Sequence, residues 1–253
     1  YFGTLKDAGY FVAGQSLLRV VEGVTESFGR VALAKAAMIY ADQKTNFLGE
    51  GTTDIIAFVI HLGVFATAHL IIWSDQIVLM LLGVQYTDAL PLMRVLLIGL
   101  TPFLAYSMLR SIIDAVETKA VNTIFTSVAF VIALAVSFVL GSLGFGIIGL
   151  GIGSVIGFVT LGGLTVRFLW KKYRLNATPI KFIRVLFLNI ALIIIAILLR
   201  PWLESIFHRA SPLVIAGILE ASLAFVYLFI LWKWKVKWMT EIERRISRVS
   251  API

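Results

Sequence analysis

The sequence predicts an all-α, polytopic membrane protein of about seven transmembrane helices, and three observations carry that reading. Apolar residues make up 60% of the 253-residue chain and charged residues 14%, against about a quarter charged in soluble domains. Mean hydropathy is +0.96. The apolar residues also come in long runs between short polar turns, and at about 1.5 Å of helical rise per residue most of these runs can cross a hydrocarbon core about 30 Å thick. A net charge of +8 would suggest nucleic acid in a soluble chain. Here the lysines and arginines lie between and after the apolar runs, where they act as topology signals, and no nucleic-acid partner is expected. Absence of cysteine excludes disulfides and thiolate metal sites. His61, His69 and His208 are too scattered to form a ligand set, so neither a metal nor another cofactor is expected.

The first helix, residues 7–40, is the most polar of the predicted spans. At about 100° per residue, Gln15, Arg19, Glu22, Glu26 and Arg30 fall within an arc of roughly 80°, with Phe11, Leu17, Val20, Val24, Phe28, Val31 and Ala32 outside it. Ala8, Val12 and Leu33 continue the arc without polarity, so the stripe is bounded. Because everything downstream is far more hydrophobic, the stripe predicts one wall of a water-filled cavity within the membrane. The competing expectation is a solvated helix face, since the charged residues are spaced three or four apart and can pair with one another.

A polar connection over residues 41–54 follows, and then an apolar run from Ile55 to about Leu82. That run spans about 42 Å, so its end, with Trp73, Ser74, Asp75 and Gln76, is expected to emerge at an interface. After the tight connection G-V-Q-Y-T-D, residues 89–113 form a third apolar segment. Thr101-Pro102 at its middle predicts a kink, because proline frees a carbonyl one turn earlier. Arg94 and Arg110, near the two ends of this segment, are expected to snorkel towards the interfaces.

The fourth run covers residues 120–140 and ends in the tight turn Gly141 to Gly146. In the fifth, 147–170, Gly149, Gly153 and Gly157 recur every four residues, which predicts a flat face for close packing against another helix, with Gly151 pointing about 160° away from Gly153. A basic loop leads to a sixth run, 185–199, ending at Arg200-Pro201. The seventh, 213–232, holds Glu220, for which a hydrogen bond between helices is expected. The tail W-K-W-K-V-K-W reads as an interfacial anchor, followed by a short amphipathic helix.

Loop charge orients the spans. With the tail in the cytoplasm, Lys44, Lys119, Lys171, Lys172, Arg174 and Lys181 share its side, leaving mainly Lys6, Arg200 and Arg209 outside. The first span then starts outside, and with no initiator methionine further chain is expected before Tyr1. Three regions follow: transmembrane helices over residues 1–175, two trailing transmembrane helices over 176–232, and a basic amphipathic cytoplasmic tail over 233–253.

Residues 81–96, L-L-G-V-Q-Y-T-D-A-L-P-L-M-R-V-L, resemble the pattern L-h-G-x-x-Y-x-x-A followed by L-R-h-L in the second half of polysaccharide flippases. These form the oligosaccharide-lipid branch of the multidrug/oligosaccharidyl-lipid/polysaccharide exporter superfamily. A-V-E-T-K-A-V-N at 115–122 is similar to that family's cytoplasmic turn, although Glu117-Thr118 stands where glycine is usual before the lysine. G-F-G-I-I-G-L-G-I-G at 144–153 is similar to its glycine-rich segment, with Gly151 and Gly153 in place of alanines. The resemblance covers roughly residues 8–175.

What the resemblance implies is the C-terminal lobe of a two-lobed, non-enzymatic transporter of the cytoplasmic membrane. It would alternate between inward and outward openings and flip a polyprenyl-diphosphate oligosaccharide for polysaccharide biosynthesis. Its partners would be that lipid-linked oligosaccharide, membrane lipids and an N-terminal lobe of the same protein. Arginine suits a diphosphate, because its planar fork makes paired charge-assisted hydrogen bonds. Arg19 and Arg30 are therefore the expected headgroup contacts, with Glu22 and Glu26 orienting them, and Gln15 completes the substrate-binding set.

Two rival functions make different demands on the sequence. A drug or organic-cation antiporter of the same superfamily calls for an acidic or aromatic cavity without paired arginines. An enzyme of lipid-linked glycan metabolism calls for a catalytic constellation, and the sequence contains no H-E-x-x-H, clustered acidic site or Ser/His/Asp arrangement in a suitable loop. A non-transporting scaffold would place the stripe on a soluble surface.

Overall fold

The computed structural model describes residues 4–19, 23, 45–173 and 179–206, together with 217–219, 221–227, 229–230 and 233. Among them the chain is all-helical, with no strand. It divides into two compact units, Tyr1–Ile193 and Ile194–Ile253.

In the first unit α1 covers residues 5–19, followed by α2 (Thr45–Ile72), α3 (Ser74–Leu81), a 3-10 helix (Val84–Ala89), α4 (Leu90–Ile98), α5 (Leu100–Val116), α6 (Val121–Ser142) and α7 (Gly146–Tyr173). The eighth helix, α8 (Pro179–Ile206), runs across the division between the units. Helices α6 and α7 are each long and apolar enough to cross a membrane. The described candidates rise to four if the bent pairs α2–α3 and 3-10/α4–α5 each count as one span. These helices suggest a membrane protein.

The buried centre is α4–α5. Leu92, Met93, Leu96, Leu100 and Leu104 are buried with Tyr10 and Leu18 of α1, Val59 of α2 and Val78 of α3. Further along α5, Leu109, Ile112, Ile113 and Val116 gather with Ile56 of α2 and Leu169 of α7. Helix α6 lies at the other extreme. It packs chiefly on α7 and exposes Ile124, Val128, Phe130, Val131, Leu134 and Phe138, a continuous apolar surface of the kind that a lipid environment covers.

Two bends shape the unit, and only one was legible in the chain. The expected kink in the third segment is present: α4 and α5 meet at 46°. The break lies at Gly99, where the Gly99 amide turns back to the Leu96 carbonyl at 3.0 Å. Pro102 explains the position, because it cannot donate to the carbonyl of Ile98 and its ring crowds that group. Between α2 and α3 the chain turns by 75° at Trp73. Trp73 and Ser74, expected to emerge at an interface, are packed inside the protein, Trp73 with 3% of its surface exposed.

Other boundaries also shift. Residues 45–54, expected within a polar connection, form the first turns of α2 and bury Thr52 and Thr53. Tertiary packing has overridden their weak helix propensity. Helix α8 passes through Arg200-Pro201 to Ile206 instead of stopping there. Proline removes one intrahelical bond, but an apolar environment favours continuing the helix because every other backbone group is then satisfied.

The turn from α6 to α7 follows its glycines. Phe145 N–H donates to the Leu140 carbonyl and Gly144 N–H to that of Gly141, with Gly144 at φ 89°. This is a Schellman closure, which needs a residue that tolerates the left-handed region. Helix α7 then runs back along α6 as the fifth-run glycines predict. A β-carbon on Gly153 would lie 2.8 Å from the Ala133 carbonyl oxygen, and one on Gly157 2.8 Å from the Ala133 β-carbon. The opposite side of α7 is packed too. Gly151 lies against Leu92 of α4 and Gly162 against the backbone of Pro102, so Gly151 is not the open position that the stripe alone suggests.

The second unit buries Ala196, Leu219, Leu223 and Tyr227. Glu220 and all of the basic tail except Lys233 lie outside the described residues.

Candidate functional site

Thr4 and Asp7 start α1. The Thr4 amide donates to Asp7 Oδ2 at 2.6 Å, the Thr4 hydroxyl donates to the same carboxylate, and the Asp7 amide returns a bond to Thr4 Oγ1 at 3.3 Å. This reciprocal cap satisfies two of the otherwise orphaned amides at a helix start. The face Tyr10, Gly14, Leu18 then packs on α4, where a β-carbon on Gly14 would lie 2.6 Å from Leu96 Cδ1. Both Tyr10 and Leu18 are buried.

That packing decides where the polar stripe points. Gln15 stands about 100° and Arg19 about 140° from Gly14 around the helix, so Arg19 lies nearly opposite the packed face. The side chains agree: Gln15 is partly buried and Arg19 is exposed, beside the equally exposed Val12 and Ser16. Glu22, Glu26 and Arg30 lie outside the described residues. The structure thus places two of the five predicted site residues, on a face of α1 that the protein's own described core does not occupy.

The segment that carried the family resemblance forms the joint between α1, α3 and α4. Gly83, at φ 90°, turns the chain out of α3 into the 3-10 helix, a conformation that disfavours any side chain with a β-carbon. Tyr86 meets Tyr10 edge to face with centroids 5.7 Å apart, and Ala89 is 1% exposed. Lys6 pairs with Asp88 at 3.0 Å, and the Tyr10 hydroxyl donates to the Gln85 carbonyl at 3.2 Å. Tyr10, then Asp88, raise the Lys6 ammonium above its ordinary pKa by hydrogen bonding. Both charges of the Lys6–Asp88 pair are mostly exposed, so it sets the register of the joint more than it stabilises it.

Sequence reasoning missed this joint, since Lys6 and Tyr10 lie about eighty residues from Tyr86 and Asp88. Arg94, expected to snorkel towards an interface, is exposed but also bonded within the protein. Its Nε donates to the buried Ser74 hydroxyl at 2.8 Å, which ties α4 to the elbow at Trp73. The Arg110 guanidinium lies 5.9 Å from the Tyr106 ring centroid.

The opposite end of the bundle is held by the turn 117–120. Lys172 pairs with Glu117, and Asn122 Nδ2 donates to the Asp114 carboxylate at 2.6 Å and to the Arg110 carbonyl at 3.0 Å. Lys119, Lys171 and Lys172 therefore share one end, while Lys6 and Gln85 to Asp88 share the other. These placements agree with the loop-charge expectation for the described residues, while Lys44, Arg174, Arg209 and the tail beyond Lys233 lie outside them.

Between the ends, hydroxyls and a histidine ring join the packing of α2 and α5. Thr67 and Thr101 hydroxyls are 3.0 Å apart across α2 and α5, and His69 stacks on Phe65 with centroids 4.1 Å apart. His61 is buried at 6% exposure, and its Nδ1 meets no partner among the described residues. The described residues contain no group of three metal-ligating side chains.

Comparison with protein-family models, with curated proteins and with solved structures returns no match. Any functional reading therefore depends on the residues themselves.

Proposed function

We propose that this chain is the cavity-forming lobe of a multi-pass transporter in the cytoplasmic membrane. It flips a lipid-linked oligosaccharide whose diphosphate headgroup is met by the α1 stripe, and a second lobe of the same protein faces that stripe. The observation that carries the reading is the position of Arg19: charged, exposed, and turned away from the face by which α1 joins its own bundle. A guanidinium against hydrocarbon at mid-membrane costs about 2.5–3.5 kcal/mol, so such a group faces water, protein or an anionic ligand. If Glu22, Glu26 and Arg30 continue the same helix, as their spacing predicts, the penalty multiplies, and a hydrated cavity removes it. The diphosphate assignment follows from guanidinium chemistry, because a planar fork can hold two phosphoryl oxygens at once.

The test uses the full-length protein and export of the lipid-linked glycan. Arg19→Ala abolishes export while leaving protein abundance nearly unchanged, and Arg19→Lys restores it only in part because a point charge lacks the fork. Exchanging Arg19 and Glu22 separates ligand binding from internal pairing: the exchanged protein is folded but inactive. Active exchange variants would reject the headgroup role.

Orientation has its own measurement. In this cysteine-free chain, cysteines introduced at Gln85 and Lys172 react with an impermeant thiol reagent from opposite faces of the membrane, Lys172 from the cytoplasmic face. Reaction of both from one face would overturn the topology.

A further inference from the structure

At the end held by the Glu117–Lys172 pair, helices α6 and α7 leave a groove of about 420 Å³. It is lined by Phe125, Leu164, Arg167, Phe168, Lys171 and Lys172. Phe125 and Phe168 form its aromatic part, edge to face with centroids 5.8 Å apart, and Lys172 Nζ sits 5.9 Å from the Phe168 centroid. Three cations converge on this apolar lining. Glu117 is bound to Lys172, and Arg167 and Lys171 beside it are exposed.

The groove continues into a greasy surface. Ile124, Val128 and Val131 are exposed on α6, and Val159 on α7. Arg167 to Lys172 occupy about 7.5 Å at the end of α7, the helix that is long and apolar enough to cross a membrane. Such a position is the depth at which a bilayer presents its phosphates. Lysines in a last helical turn also complement the helix dipole. That role leaves unexplained why Arg167, one turn earlier, joins them on the same aromatic-lined groove.

We propose that this groove binds an anionic glycerophospholipid from the leaflet at that end. Its phosphate is held by Arg167 and Lys171, and its acyl chains lie along the exposed apolar residues of α6. Free inorganic phosphate would use only the cations, whereas the phenylalanines, Leu164 and the adjoining aliphatic surface fit a ligand with a hydrocarbon part. The proposal does not rest on the transport reading; it needs only that α6 and α7 lie in a membrane.

Native mass spectrometry of the full chain released from vesicles of equal phosphatidylglycerol and phosphatidylcholine tests it. Wild-type protein retains phosphatidylglycerol in preference to phosphatidylcholine. Combined Arg167→Ala and Lys171→Ala reduces that preference about thirtyfold, in keeping with two interfacial charges, while Lys6→Ala at the opposite end leaves it unchanged. Arg167 and Lys171 are exposed, and the single charge reversal Lys171→Glu gives an independent reading should the double variant not fold. Equal retention of the two lipids by the wild type, or undiminished phosphatidylglycerol preference in the folded variants, would overturn the proposal. Displacement of the lipid by millimolar inorganic phosphate would likewise overturn it in favour of a free-anion site.

Discussion

Gly153→Leu is expected to prevent α6 and α7 from docking and to cost about 3 kcal/mol or more, the upper range for overpacking a well-filled contact. The obstacle is backbone: the Ala133 carbonyl oxygen at 2.8 Å and the Ser137 amide nitrogen at 2.9 Å from the added β-carbon. Neither atom can rotate away. The helices must separate, and close approach through small residues is the main source of attraction between helices that hydrocarbon surrounds. Gly151→Leu meets the Leu92 Cδ1 methyl at 2.7 Å, a side-chain tip that another rotamer can move, so about 1–2 kcal/mol is expected. Thermal unfolding of the two variants in the same detergent measures the difference. Equal melting temperatures would show that the Gly149, Gly153, Gly157 face does not hold the pair together.

Trp73→Ala is the other change with a large expected effect, a loss of about 3–5 kcal/mol, as for large-to-small substitutions of buried aromatics. Trp73 fills the elbow where α2 turns by 75° into α3. Without its ring the elbow is no longer held open at that angle, and Ser74 is displaced from Arg94, to which it is bonded at 2.8 Å. The comparison is Leu79→Ala. Leu79 lies on the same short helix and is 51% exposed, so it changes stability by no more than about 0.5 kcal/mol. Denaturation of both variants in detergent reads the contrast directly. If Trp73→Ala behaves like Leu79→Ala, Trp73 is an interfacial anchor after all and the elbow is not a packed joint.

These two cases mark the limits of what the chain discloses. The glycines at 149, 153 and 157 declare a face because they share a period of four, and periodicity is a local property. Their partner, Ala133 and Ser137 of α6, is not local, and nothing in the sequence says that Gly151 and Gly162 on other sides of α7 meet Leu92 and Pro102. Trp73 reads as an interfacial residue because tryptophan beside Ser, Asp and Gln matches that pattern. Its burial comes from tertiary packing at the elbow, where Arg94 of α4 also reaches Ser74.

The candidate site divides in the same way. Helical spacing alone put Gln15, Arg19, Glu22, Glu26 and Arg30 on one stripe. Which way the stripe faces depends on Gly14, whose missing side chain admits Leu96 of α4 and so turns Arg19 outward. The residues of the 81–96 motif were visible as a pattern, but their work in the joint with Lys6 and Tyr10 depends on contacts more than seventy residues apart in the chain.

By itself the sequence determined the all-helical class, the apolar runs, the kink near Pro102, the glycine turn at 141–146 and the placement of Lys119, Lys171 and Lys172 at one end. Each follows from short-range chemistry: backbone satisfaction in an apolar medium, a proline without an amide hydrogen, a glycine at positive φ, and charge placed between apolar runs. Tertiary structure decided that α4–α5 forms the buried centre, that α2 begins at Thr45 and bends at Trp73, that Arg94 binds Ser74, and that α6 and α7 open a cationic groove beside Phe125 and Phe168. Those outcomes depend on which surfaces meet, and complementary shape between distant segments leaves no periodic trace in either one.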